Sequence, residues 1–272
     1  MSPALFQAFR QLAYDQAGIA LRESKRELVS ARIAKRLRAL ELADAEQYLA
    51  RLRDDRTGEE LIHFLDAIST NFTSFFREPD HFETLRDEVE RLERRGQTRF
   101  RIWCAASSTG EEPYTLAMTL AEALDGDATD WRLLATDISL RALETASAGT
   151  YAESRLEDVP PALCKRYFAR VPGATSGEPL LRVVPSLREH VVFKRLNLAL
   201  PPFAMKGPLD LVFCRNVMIY FDAPVRQRLV EELERLVRPG GLVIVGHSET
   251  LNGLETGLEV VRPSVYRKPE AA

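Results

Sequence analysis

Two adjacent carboxylates, Glu111 and Glu112, follow a turn of small residues, Ala105-Ala106-Ser107-Ser108-Thr109-Gly110, and a third acid, Asp137, closes the run Leu133-Leu134-Ala135-Thr136. This spacing suits recognition of an adenosine-containing ligand. Small residues after a strand let a ligand approach the backbone, and an acid ending the next strand can accept hydrogen bonds from both hydroxyls of a ribose. The turn lacks the full Gly-x-Gly-x-x-Gly pattern and carries no Walker lysine, which excludes a P-loop and leaves little room for a pyrophosphate. Two carboxylates at the start of a helix would repel phosphates, whereas one of them could hold an ammonium group. An adenosine end and an amino-acid end together describe S-adenosylmethionine. The same glutamates could instead only cap the helix, favourably placed at the positive end of its dipole, Asp137 could cap the helix after it, and either Glu111 or Glu112 could face the ligand.

Two further segments carry candidate chemistry. Asn197-Leu198 ends another apolar run, where an adenine lies in a doubly wound sheet, although turns favour Asn on their own account. Arg215-Asn216 stands between Phe213-Cys214 and Val217-Met218-Ile219-Tyr220-Phe221. A polar pair inside such an apolar stretch implies specific contacts at the end of a buried strand.

These residues need a scaffold that alternates strand and helix. Apolar runs at Phe100–Ala105, Arg132–Asp137, Val191–Asn197, Leu209–Cys214 and Leu242–Gly246 predict strands. Helical periodicity predicts helices over Glu112–Leu124, Ser139–Ala148 and Pro224–Val237. That alternation implies an α/β fold with a parallel, doubly wound sheet and right-handed crossovers. Leu258–Val261 and Ser264–Arg267 read as a closing antiparallel edge. Within 165–184 two short runs flank a Gly/Pro-rich loop, a hairpin too small for a core of its own. Residues 1–75 carry only helical spacing, such as Val29, Ile33, Leu37 and Leu40, and a charged helix ends at Gly96. The expected organisation is a helical domain over 1–75, a linker helix over 76–98 and an α/β domain over 99–272 with the inserted hairpin at 165–184.

Arg22 to Arg38 is strongly basic, and Arg32, Lys35 and Arg36 lie beside the apolar stripe of that helix. The face reads either as a solvated surface or as a dock for an acidic partner. Composition bounds the remaining possibilities. The chain has 272 residues, 45% hydrophobic and 28% charged, with a net charge of −3, which argues against a general nucleic-acid binder. No apolar run reaches the length of a membrane span. Cys104, Cys164 and Cys214 show neither a disulfide framework nor metal-ligand spacing, and His63, His81, His190 and His247 form no visible cluster. A reduced, cytoplasmic setting and no metal are expected.

Four long motifs now stand in order: Asn71-Phe72-Thr73-Ser74-Phe75-Phe76-Arg77-Glu78, Ser108-Thr109-Gly110-Glu111-Glu112-Pro113-Tyr114, Ala135-Thr136-Asp137-Ile138 and Phe213–Phe221, with Gly246-His247-Ser248-Glu249 as a fifth match. Together they resemble the chemotaxis-receptor glutamate methyltransferases, the CheR family, over essentially the whole chain. The resemblance implies a class I methyltransferase fold using S-adenosylmethionine and releasing S-adenosylhomocysteine. It implies that Asn71, Thr73 and Arg77 close over the cofactor and that Glu112 takes its amino end. Asp137 would hold the ribose, Asn197 and Leu198 would lie at the adenine, and Arg215 and Asn216 would line the site. Arg77 and Tyr220 would handle the substrate side chain. Phe75, Phe76 and Phe221 read as core. The implied partner is the cytoplasmic signalling region of a chemoreceptor, with a receptor C-terminal peptide as a further ligand of the β-subdomain and a monomeric enzyme. Another S-adenosylmethionine enzyme acting on a small carboxylate, or a module that senses the cofactor without turnover, are the competing readings.

Overall fold

The computed structural model describes residues 1–69, 72–124, 128–172 and 177–270. Four helices open the chain: α1 (Pro3–Ala17), α2 (Arg26–Leu40), α3 (Ala45–Asp54) and α4 (Glu59–Ile68). Their ends follow local chemistry. Ser2 caps α1 by accepting from Leu5 N–H, with Pro3 in its first turn, and Asp44 caps α3 by accepting from Gln47 N–H. Gly18 ends α1 at φ 64°, where a Cβ would come within 2.6 Å of the Ala199 Cβ; only glycine meets both demands at this junction. The helices enclose a core of Phe6, Phe9, Ile33, Tyr48 and Phe64.

That core also claims one of the basic residues. The Arg36 guanidinium grips Glu60 through Nε–Oε1 (2.9 Å) and Nη2–Oε2 (2.5 Å), and the Tyr48 hydroxyl donates to the same carboxylate at 2.8 Å. Arg32 donates to the Ser69 carbonyl at 2.8 Å. Of the three residues expected to form a docking face, Lys35 is the exposed one.

After α5 (Asp80–Arg94) the chain enters a sheet built from β1 (Arg99–Cys104), α6 (Glu111–Ala123), β2 (Asp130–Asp137) and α7 (Leu140–Ala148). An excursion follows through β3 (Thr150–Ala152), α8 (Pro161–Tyr167), β4 (Phe168–Arg170), β5 (Leu180–Val183) and α9 (Pro185–Arg188). The chain then returns with β6 (Val191–Arg195), β7 (Leu209–Cys214), α10 (Ala223–Leu236), β8 (Val237–Val245), β9 (Glu259–Arg262) and β10 (Val265–Arg267). The seven-stranded sheet has the order β6-β2-β1-β7-β8-β10-β9. Its first five strands are parallel and β10 and β9 close it antiparallel. Alternate residues of β1 face opposite layers: Ile102 and Cys104 pack with α5 and α6, and Trp103 packs with α10.

The excursion holds more than the expected hairpin. It is a three-stranded antiparallel sheet in the order β3-β5-β4, whose additional strand, Thr150–Ala152, comes from directly after α7 and pairs Ala152 with Leu180. Three residues give too little alternation to be read as a strand. The Gly173–Ser176 part of the expected loop lies outside the described residues.

Sequence order runs outward from β1 to β2 and β6 on one side, then to β7 and β8 on the other. The reversal falls between β1 and β7, and loops leaving the carboxyl ends of those two strands diverge and leave a crevice. The turn at 105–110 and the segment at 215–220 both start there.

Candidate active site

The turn after β1 is shaped by its own backbone. Ser108 adopts φ 45°, which aims its N–H at Asp137 Oδ2 (2.8 Å), while Ser139 N–H reaches Oδ1 (2.9 Å). Gly110, at φ 101°, sits where a Cβ would strike the Tyr151 hydroxyl at 2.5 Å and Ala146 Cβ at 2.9 Å. A side chain there would lever the turn off the excursion. Asp137 thus stands at the end of β2 with each oxygen holding one backbone donor and capacity for another. Burial raises its carboxyl above the ordinary value, and the Ser139 and Ser108 N–H groups oppose that rise.

The two glutamates part company. Glu111 turns away from the crevice, accepting from the Thr109 hydroxyl at 2.6 Å and pairing with Arg155. Glu112 lines the cavity, where its Oε2 takes Arg215 Nη1 at 2.7 Å and its Oε1 takes the Cys104 thiol at 3.3 Å. Burial pushes the Glu112 carboxyl up, with Arg215 working in the opposite direction.

Arg215 is the hub. Its side chain is fully buried, donating through Nη2 to Glu78 Oε2 (2.9 Å) and to the Arg77 carbonyl (2.5 Å), with its guanidinium 5.3 Å from the centre of the Phe82 ring. Burial works against the Glu78 carboxylate, yet Arg215, the Asn216 amide and His247 N–H outweigh it and hold Glu78 below its ordinary value. Glu78 appears in the first motif without an assigned role. An acid beside Arg77 was the available signal, but its partners lie 137 and 138 residues away. Glu78 also joins two of the histidines. His81 and His247 meet with ring centres 4.7 Å apart, beside a carboxylate already committed to Arg215 and to His247 N–H.

The remaining expected residues fall around one cavity of about 410 Å³ between the crevice and the helical domain. Thr73, Arg77, Asp137, Asn197, Leu198, Asn216 and Tyr220 all line it; Asn71 lies outside the described residues. Arg77 is half-buried, its guanidinium 5.6 Å from the Phe72 ring centre. Asn197 is a wall residue with both polar atoms engaged: Nδ2 donates to the Gln16 carbonyl (2.7 Å) and Oδ1 accepts from Ala199 N–H (3.0 Å). Phe75 is core as expected, edge-on to Tyr151 and Phe168, and Phe76 and Phe221 pack partly buried.

One wall is legible in the sequence only as the start of the basic run at 22–38, with nothing to place it at the cofactor crevice. The loop after α1 closes over the crevice, with Ala20 N–H donating to the Tyr220 carbonyl at 2.9 Å, and Ile19, Arg22, Lys25 and Leu28 join the lining. Ile19 and Leu28 follow patterns common to any surface domain, and the charge of Arg22 and Lys25 does not say which surface they face.

The chemistry of the lining fits S-adenosylmethionine. Asp137 has acceptor capacity for ribose hydroxyls and Glu112 places an anion for the ammonium. The Ser108 hydroxyl, which belongs to a residue of the lining, is buried without a partner among the described residues. Apolar Ile138, Leu196 and Val217 offer walls for a purine. Because both carboxyls are raised, they protonate sooner than ordinary ones as pH falls, and a neutral carboxyl loses its attraction for an ammonium. Affinity for S-adenosylhomocysteine is therefore expected to weaken as pH falls below neutrality, earlier than ordinary carboxyls would allow, measured by isothermal titration calorimetry, with Glu112→Gln flattening the dependence.

Comparison with known proteins gives matches over nearly the whole chain. Residues 71–266 match the family model described as CheR methyltransferase, SAM binding domain, and residues 4–69 match CheR methyltransferase, all-alpha domain. The chain is 41% identical over 266 residues to the chemotaxis protein methyltransferase of Escherichia coli (strain K12), covering 98% of this chain and 91% of that one. It is 45% identical over 261 residues to chemotaxis protein methyltransferase 2 of Pseudomonas aeruginosa, with 96% and 91% covered. Against the chemotaxis protein methyltransferase of Borreliella burgdorferi the identity is 34% over 265 residues, with 95% and 92% covered.

Proposed function

The chain belongs to the CheR methyltransferase family, an S-adenosylmethionine-dependent chemotaxis protein methyltransferase, and from that premise we propose that it esterifies glutamate side chains on the cytoplasmic signalling helices of chemoreceptors. The observation that carries this reading is the cavity itself. One end is formed by the cofactor-type acids Asp137 and Glu112, and the helical domain brings Arg22 and Lys25 to the same lining as Arg77 and Tyr220. Cations in the lining suit a carboxylate arriving on an acidic helix.

In this reading Asp137 holds the ribose and Glu112, rather than Glu111, holds the ammonium. Thr73, Arg77, Asn197, Leu198, Arg215 and Asn216 complete the cofactor walls, and Asn71 belongs with them by its motif. When bound, S-adenosylmethionine supplies a methyl group on a sulfonium, whose transfer to a glutamate oxygen leaves a neutral ester and a neutral thioether. A glutamate with a pKa of ~4.3 is already ionised at neutral pH, so the chain needs no general base. Its residues instead orient and desolvate. Arg77 aims the incoming carboxylate, Tyr220 and the loop at Ile19–Lys25 exclude water, and alignment does the remainder. The helical domain over 1–75 serves as the receptor-facing part, the linker over 76–98 joins it to the methyltransferase domain over 99–272, and the edges of the three-stranded sheet offer sites where a receptor peptide could add as a strand.

The test is incubation with a purified receptor signalling fragment and methyl-labelled cofactor. Base-labile label on receptor glutamates is expected, and cofactor binding without receptor ester would overturn the reading. The docking face is tested separately. Lys35→Glu is expected to raise the KM for the receptor fragment severalfold while kcat stays the same, and an unchanged KM would remove Lys35 from the face. Arg36→Glu is expected to lower the Tm instead, because it sets two carboxylates together beneath Tyr48.

A further inference from the structure

Glu249 lies in the turn that follows β8, is 8% exposed and does not line the cavity. Its two oxygens accept four backbone N–H groups. Oε2 takes Asn216 (2.7 Å) and Gly246 (2.7 Å), and Oε1 takes Met218 (2.7 Å) and Ile219 (3.3 Å). Three of these donors belong to the segment between Arg215 and Tyr220. That segment cannot satisfy them itself. Asn216 stands at φ 56°, a left-handed kink that breaks any regular ladder and turns successive N–H groups toward one point.

Neighbouring residues are fitted to this arrangement. A Cβ on Gly246 would lie 2.4 Å from Asn216 Nδ2 and 2.9 Å from Glu249 Oε2, so only glycine lets the two turns close on the carboxylate. From the other side Glu78 grips the side chains of the same segment, through Arg215 Nη2 and Asn216 Nδ2. One carboxylate therefore fixes the main chain and the other fixes the side chains.

We propose that Glu249 is a positioning residue that holds the 215–220 segment in the conformation in which Arg215 and Asn216 meet the cofactor and Tyr220 faces the substrate. This rests on the roles proposed above for those three residues. A glutamine has one acceptor oxygen, so it can satisfy one pair of N–H groups while its amide NH₂ confronts the other pair. The segment must then move, although side-chain volume is unchanged.

The experiment compares the full-length wild type with Glu249→Gln and Glu249→Asp. Folding is followed by circular dichroism and S-adenosylhomocysteine affinity by calorimetry, with the fraction of binding-competent protein read from the stoichiometry. The folded Glu249→Gln protein is expected to bind S-adenosylhomocysteine about 10- to 100-fold more weakly, as two unpaired buried donors predict. Glu249→Asp, one methylene short of the donors, is expected to lose affinity as well. A merely structural role would lower Tm and the competent fraction but leave the affinity of that fraction intact. Either variant binding within twofold of wild type overturns the proposal, and so does failure of both to fold, which would make the clamp a requirement of the fold rather than of the site. A wild type that binds S-adenosylhomocysteine but esterifies no receptor would sink the receptor reading and leave this comparison decisive.

Discussion

Arg215→Ala is expected to eliminate measurable cofactor binding and to destabilise the protein by about 3–5 kcal/mol, the usual consequence of removing one member of a buried ion pair. The guanidinium is the shared counter-charge of Glu112 and Glu78, at 2.7 and 2.9 Å. Without it two carboxylates face each other in a poorly hydrated pocket, and at least one must take up a proton or swing out. Glu112 then no longer presents a fixed anion at the cavity. Lysine is not a substitute, because one ammonium cannot reproduce the two-pronged fork that also reaches the Arg77 carbonyl. Denaturant unfolding and calorimetric titration with S-adenosylhomocysteine measure the two losses. Adding Glu112→Gln to Arg215→Ala should recover part of the stability by removing one of the opposed charges, while binding stays lost. A double variant no more stable than the single one would show that the electrostatic account of the hub is wrong.

Arg77→Ala is expected to cost about 100- to 1000-fold in kcat for receptor methylation, the scale of removing one well-placed donor, with much smaller change in S-adenosylhomocysteine affinity. The contrast with Arg215 is physical. Arg215 has its charge closed off by carboxylates, whereas among the described residues the Arg77 guanidinium makes one hydrogen bond, from Nη1 to the Phe72 carbonyl at 3.2 Å. It leans on the exposed Phe72 ring, and it is a residue of the cavity wall. Its other donors are available to a carboxylate. Because a carboxylate held too tightly is a poorer nucleophile, Arg77→Lys should retain more turnover than alanine, with steady-state kinetics on the receptor fragment separating kcat from KM. Wild-type kcat in Arg77→Ala would transfer the orienting role to another residue.

Charge on a helix shows where sequence reading loses its hold. Arg32, Lys35 and Arg36 look alike beside the apolar stripe of α2. Arg36 differs only because α4 brings Glu60 against it, 24 residues on, and such a pairing leaves no mark on local periodicity. The adjacent glutamates behave similarly. Their spacing identifies an acid at the start of α6, but Glu111 is claimed by Arg155 and Thr109 and Glu112 by Arg215. Which one faces the cavity follows from those distant partners.

By itself the sequence determined the alternation of strand and helix, the small-residue turn ahead of two acids, the acid ending β2 and the polar pair ending β7. Each of these is written in neighbouring residues, through side-chain period, turn chemistry and the intolerance of a buried strand for polar groups. Tertiary structure alone decided that Glu78 and Glu112 share one arginine, that four N–H groups converge on Glu249, that a third strand joins the small sheet and that the loop after α1 walls the cavity. These depend on contacts between segments tens to hundreds of residues apart, which leave no mark on local periodicity and come within hydrogen-bonding reach only when the chain folds.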